Sequence, residues 1–443
     1  MKQDDPKLVL YAPHKSERLS YTAHIFFELL VGIKCEITTI SDDFLSRQGP
    51  KINYSNDVVA AHVLHIPDSG LLWESGIRPI ELQAIVVDDL PALFPATRQD
   101  CTWPFDLLAM TFFLVTRYEE YLPFQPDNHG RFSASQSAAF RFGFLERPLL
   151  HEWAAVVRED LKKNHANLIF TPPKFSCQLT YDIDLAWAFK HKSLIRQVGG
   201  GLTDIWHGRY DWVAARLRTV LGKQTDPFFT FDYLDQCHKE RDDLPVFFFL
   251  LGDRGPFDHN ISPRNPALRQ LINRISAKYP LGIHPSYRSN QETGRLQLEI
   301  ERLKAMSDLP VVRSRQHYLL LRFPDTYQML SAHGIQADYT LGYADALGFR
   351  ASIAVPFTWY DISRETWTQL VLHPFQVMDV SLKDYMGLSP DSAITRIADL
   401  QSKLRRCGGT LTTIWHNSSF SALHGWKAWA AVHQMALGGQ SSC

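Results

Sequence analysis

The chain predicts an α/β fold: a parallel β/α sheet or barrel in the second half, preceded by a smaller α/β domain. Two observations carry this. Seven short apolar runs (FSCQLTYDID, LPVFFFLLGDRG, YPLGIHPSY, VVRSRQHYLLL, ADYTLGYAD, PFQVMDVSL and GTLTTIWHNS) alternate with amphipathic stretches such as NPALRQLINRISAKY and QLEIERLKAM. Strands alternating with helices read as β/α units around a parallel sheet. Ahead of them, KNHANLIFTPPKF places Pro172 and Pro173 where regular structure has to stop, which predicts one unit over residues 1–170 and a second over residues 174–430.

In the first unit, KLVLYAP reads as a short strand, SYTAHIFFELLVGIKCEIT as a helix running into a strand, and DVVAAHVLHIP and LQAIVVDDLPALFP as further short apolar runs. PFDLLAMTFFLVTRYEEYLP has helical spacing and ends at Pro123, and PLLHEWAAVVREDLKKNHANL is an amphipathic helix. Arg117, Glu119 and Glu120 read as a solvated or locally paired charge cluster at a helix end. No catalytic constellation is visible in this unit. In the second unit a long insertion spans residues 186 to about 243. Its GGGL, Gly199 to Leu202, reads as a hinge-like loop and lacks the residues of a phosphate-binding loop.

Composition narrows the function. With 45% hydrophobic and 21% charged residues the chain is globular. Lys+Arg of 46 against Asp+Glu of 47 gives a net charge of −1, which exerts no general pull on nucleic acid or anionic membrane, although a local basic patch is compatible with it. No run of eighteen apolar residues predicts a membrane span and no secretory signal is evident. The six cysteines are scattered without a C-x-x-C, which fits a reducing cytoplasm.

The ends of the apolar runs carry the polar residues. Asp182 and Asp184 end the first run, His284 the third; Arg313, Arg315 and His317 lie in the fourth, Asp338, Tyr343 and Asp345 in the fifth, and His416 and Asn417 close the seventh. Alternation along a strand puts Asp182 and Asp184 on one face, and Arg315 and His317 on one face. Chemistry gathers at the C-terminal ends of strands in such folds. Carboxylate and imidazole together suit zinc or a similar divalent ion and metal-assisted hydrolysis. A second carboxylate can serve as general base, and a separate His can protonate a leaving amine.

These residues also resemble a known family. Thr180-Tyr181-Asp182-Ile183-Asp184, His284 in GIHPSY, Arg315 in SRQHY, Asp338 in DYTLGY and Ile414-Trp415-His416 resemble, in order, the motifs of the polysaccharide deacetylase superfamily, the NodB-homology domain of carbohydrate esterase family 4. The resemblance covers roughly residues 174–430. With RYEEYLPF upstream and GFRASIAVPFTWYD within, the whole chain looks like a bacterial branch with an uncharacterised N-terminal domain. It implies a distorted (β/α) barrel of about seven strands and removal of acetyl groups from sugars. By the same resemblance Asp182 is the general base, Asp184 and His284 are metal ligands, Arg315 orients Asp182, His416 is the general acid, and Asp338 tunes it. The family's second motif carries another His four residues after the first, where this chain has Arg288. His317 is the expected substitute ligand and His259 the weaker candidate.

The expected protein is thus a cytoplasmic, divalent-metal (zinc) deacetylase of an N-acetylated sugar or sugar conjugate, with no nucleic-acid partner. Two alternatives stand beside it: a non-catalytic carbohydrate-binding protein on a deacetylase scaffold, and a hydrolase of a non-sugar amide.

Overall fold

A computed structural model describes residues 7–98 and 100–438, the side chain of His424 apart. The first unit is built on a parallel sheet of β1 (Leu8–Tyr11), β2 (Cys35–Thr38), β3 (Lys51–Tyr54) and β4 (Leu64–Ile66), in the order β2-β1-β3-β4. Helix Glu17–Ala23 begins at Ser16, whose hydroxyl accepts from Leu19 N, and continues as a wider-wound helical segment, His24–Val31. Helix Leu149–Asn164 presents Leu149, Leu150, Trp153, Ala154, Val157 and Leu161 as its buried stripe. Between them, Leu107–Val115 is apolar all round and every residue of it is buried, so it runs through the core rather than over it. β5 (Ala84–Val87) and β6 (Leu90–Leu93) form a separate hairpin.

That central helix stops at Val115, well before Pro123, because Arg117 turns into the left-handed region at φ 56°. The charge cluster there is paired but not solvated. Arg117 and Glu120 are buried, 2.7 Å apart, and Arg350 from the second unit also binds Glu120. A long-range partner that no local spacing reveals takes the cluster out of water.

The seven apolar runs of the second unit each carry one strand: β7 (Phe175–Ile183), β8 (Val246–Phe249), β9 (Leu281–Ile283), β10 (Arg313–Ser314), β11 (Ala337–Asp338), and, after an antiparallel hairpin of β12 (Phe357–Asp361) and β13 (Thr366–Leu372), β14 (Val377–Met378) and β15 (Gly409–His416). The sheet order is β12-β13-β11-β10-β9-β8-β7-β15-β14, parallel except at the hairpin. β13 and β14 belong to one extended run. Its first part bonds β11 and the residues after it, through His373 N to Asp338 O (2.8 Å) and Phe375 N to Leu341 O (3.0 Å). Its last part bonds β15, through Gln376 N to Thr412 O (3.0 Å).

One contiguous apolar core includes Leu10 and Trp153 of the first unit with Phe247 and Trp415 of the second. Gly199 to Leu202 is not a loop but lies inside helix Leu194–Trp206. A side chain at Gly200 would meet the Arg216 guanidinium, which passes there to bind Asp204 at 2.7 Å. Gly200 admits a close neighbour within a continuous helix. No helix among the described residues is long and apolar enough to cross a membrane.

Candidate metal centre

β7 brings Asp182 into the interior and ends just before Asp184. Asp182 Oδ1 accepts from Arg315 Nη1 at 2.8 Å. Arg315 is fully buried, donates from Nε to Tyr339 O (3.0 Å), and sets its guanidinium 4.5 Å from the centre of the Phe248 ring. β8 and β9 lie between β7 and β10, so a direct Asp182–Arg315 contact requires a strongly curled sheet, since adjacent strands are spaced by about 4.8 Å.

Asp184, His284 and His317 converge, with one potential ligand atom from each lying within 4.8 Å of the others. His284 Nδ1 sits 2.6 Å from Arg315 O; a carbonyl only accepts, so Nδ1 carries a proton, and this bond turns Nε2 toward the carboxylates. That Nε2 faces Asp184 Oδ1 at 3.3 Å. Asp184 Oδ1 is buried and receives no hydrogen bond. An orphaned buried carboxylate oxygen facing imidazole nitrogens is a donor set that fits a cation. His317 Nδ1 is held by Asp258 Oδ1 at 2.9 Å, leaving Nε2 to face Asp184 Oδ2 at 3.7 Å. Asp258 in turn accepts from Tyr287 N (2.8 Å). A carboxylate fixing the far nitrogen of a ligating imidazole is the usual support for such a ligand.

The electrostatics agree. Burial pulls His317 down, but Asp184 and then Asp258 outweigh it and raise the imidazole to about 9. Burial raises Asp184, and the imidazoles of His317, His284 and His416 overcome that and hold it well below the usual carboxylate range. The pocket of carboxylates therefore selects a cation, proton or metal.

His416 ends β15 with Nε2 3.7 Å from Asp184 Oδ2. Its partner is Asp379, which the sequence reading missed. Asp379 is fully buried and accepts from His416 Nδ1 (2.9 Å), His416 N (2.7 Å) and Ser419 Oγ (2.5 Å). Burial lowers His416, and Asp379 first, then Asp184 and Asp182, raise it to about 10.

Asp338, expected to tune His416, does not touch it. It accepts from Ser314 Oγ (2.7 Å), Thr340 N (2.9 Å) and Thr340 Oγ1 (2.9 Å), and burial raises its carboxyl to about 6. Those partners, Ser314 at the end of β10 and Thr340 after β11, commit its carboxylate to bracing the two strand ends instead. His259 is exposed and outside the cluster, while Asp258 beside it supports His317. Arg288 turns away to Glu292 at 2.7 Å.

The cluster floors a cavity of about 480 Å³ whose walls include Tyr318, Tyr385, Met378 and Trp426. One wall comes from the first unit. Arg131 binds Tyr318 O (2.8 Å), Tyr385 Oη (3.2 Å) and Asp127 (2.7 Å).

Residues 8–166 match a family described as a family of unknown function, DUF7033. No curated protein matches the chain. Among solved structures the chain is similar to a candidate polysaccharide deacetylase from Mycobacterium smegmatis, at 16% identity over 61% of this chain and 86% of that one, with a TM-score of 0.39. It is also similar to a mutant of a CE4 family pseudoenzyme with restored enzymatic activity (13% identity, 61% of this chain, 65% of that one, TM-score 0.29). A further mutant of a CE4 family pseudoenzyme follows at 12% identity over the same shares, with a TM-score of 0.27.

Proposed function

We propose that this protein is a divalent-metal-dependent hydrolase that removes an acetyl group from an N-acetylated sugar or sugar conjugate. The observation that carries the reading is a division of labour around one cavity: Asp184, His284 and His317 offer ligand atoms, while Asp182 and His416 stand beside them with partners of their own. A bound divalent ion, zinc in this reading, would supply Lewis-acid polarisation and a lower water pKa. Asp182 takes the proton of the attacking water, oriented by Arg315. His416 is protonated at neutral pH and gives its proton to the departing amine, held in position by Asp379. Arg288 does not oppose the ion, because its charge is spent on Glu292.

The fold that fits this reading is the distorted (β/α) barrel of seven strands, with the run from β13 to β14 serving as one strand that joins β11 to β15. Residues 1–170 form an accompanying domain that lends Arg131 to the cavity wall. The free cysteines among the described residues support a reducing compartment, the cytoplasm.

The test is acetate release from N-acetylated oligosaccharides by zinc-loaded protein. Release that Asp182→Asn abolishes while zinc stays bound is expected. Zinc-loaded protein that releases acetate from none of a broad panel of such sugars would overturn the reading.

A further inference from the structure

The connection from β7 to β8 carries two antiparallel helices, Leu194–Trp206 and Tyr210–Val220, that are packed inside out. At 100° per residue, Leu194, Ile195, Val198, Leu202, Ile205 and Trp206 fall within an arc of about 120°. All six are exposed, Trp206 to 87%. The inward side of this helix is made of Gln197, Gly200, Gly201 and the buried Asp204, which binds Arg209 (2.9 Å) and Arg216 (2.7 Å) of the second helix. The second helix repeats the inversion, with Tyr210, Leu217 and Val220 exposed and Ala215 and Thr219 buried. A helix that faces only water and a protein core does the opposite, and a continuous exposed apolar surface of this kind marks an interaction site.

Charge identifies the occupant. Residues 190–223 hold seven Lys and Arg against two Asp, a balance of +5 in a chain whose net charge is −1. Lys190, Arg218 and Lys223 are exposed, with no ion pair among the described residues. We propose that this hairpin docks on the surface of a bilayer containing anionic lipid, with its apolar face in the acyl boundary. An apolar stripe ending in Trp and Tyr, flanked by cations, matches the chemistry of that interface. A second copy of the chain matches it poorly, because a two-fold interface would set the +5 segment against itself.

The hairpin is rooted beside the metal centre. Asn417, next to His416, donates from Nδ2 to Leu185 O (3.1 Å) and Phe228 O (2.7 Å), on the segments before and after the hairpin. Docking therefore holds the cavity near the bilayer. On the deacetylase reading, this gives access to a sugar carried on a lipid.

The test is co-sedimentation of the full-length protein with vesicles of phosphatidylcholine alone and of phosphatidylcholine with phosphatidylglycerol, and it does not depend on any activity. Binding to the anionic vesicles is expected, weakened about fivefold for each of Arg218→Gln and Lys223→Gln at low salt. Leu202→Ser with Trp206→Ser lowers it by about tenfold or more without changing thermal unfolding, since both side chains are exposed. The proposal is overturned by absent binding to the anionic vesicles, or by binding that survives Leu202→Ser with Trp206→Ser. A vesicle-inert dimer that the same pair converts to monomer would overturn it too and assign the surface to a second copy.

Discussion

Asp379 holds His416 by two hydrogen bonds, one to the ring Nδ1 at 2.9 Å and one to the backbone N at 2.7 Å. Both the orientation and the charge of the imidazole therefore rest on one buried carboxylate. The folded state raises His416 from 6.5 to about 10, so the stability this pairing brings is complete below about pH 6.5 and fades as pH rises through about 10. The same protonation makes His416 a competent acid.

Asp379→Asn removes the largest of the charges that raise His416. The alkaline limb of the pH profile for acetate release should move to lower pH, and turnover should fall on the order of 10²-fold. Asp338→Asn should leave that limb in place, because Asp338 has no contact with His416. A limb unmoved by Asp379→Asn would remove His416 from the role of acid.

Metal affinity should divide the candidate ligands from their neighbours. His284→Ala, His317→Ala and Asp184→Ala should each lose most zinc binding in calorimetry. Asp258→Asn should lose about 10–100-fold, because it frees the His317 ring without removing it. His259→Ala should bind as the wild type does. Full affinity in His317→Ala would leave the centre with two ligands, one short of a three-ligand catalytic set.

Much of this was legible from the residues. Each apolar run became a strand because alternating or continuous β-branched and aromatic residues are a local signal. Asp182, Asp184, His284 and His416, which stand at the ends of those runs, line one cavity. His317 reached the site by another route than the one expected. β10 stops at Ser314, so strand alternation no longer applies, and a tight turn through Tyr318 at φ 59° aims the ring instead. Asp379 lies inside the run PFQVMDVSL and was not legible as a partner, because which acid pairs with His416 depends on strand order, and order is not local. The β12–β13 hairpin was missed although Phe357, Trp359, Thr366 and Thr368 carry its alternation. The burial of Arg117 and Glu120 could not be read at all, since their partner Arg350 lies 230 residues or more away.

Arg315 and Asp182 should behave as one unit toward stability. Both are buried, and Arg315→Met strands a carboxylate in the interior, at a cost of about 3–5 kcal/mol. Adding Asp182→Asn removes that stranded charge, so the double variant should regain a large part of the loss. Urea unfolding of the two single variants and the double variant measures this coupling. Additive losses would mean that the pair does not interact.

Arg131 should matter to the metal although it is no ligand. Its guanidinium holds the carbonyl of Tyr318, the residue after His317. Tyr318 and Leu319 both sit in the left-handed region, at φ 59° and 54°, which costs on the order of 1–3 kcal/mol for each non-glycine residue and persists only when surroundings enforce it. Arg131→Ala removes part of that enforcement, so the turn relaxes and the His317 ring loses its aim. Zinc affinity should fall by several-fold to about tenfold, less than in His317→Ala, and KM should rise through the lost cavity wall. Arg131→Lys should recover little, because one ammonium cannot reproduce the fork that spans Tyr318 O, Tyr385 Oη and Asp127. Zinc affinity equal to wild type in Arg131→Ala would show that the turn holds its strain without help from the first unit.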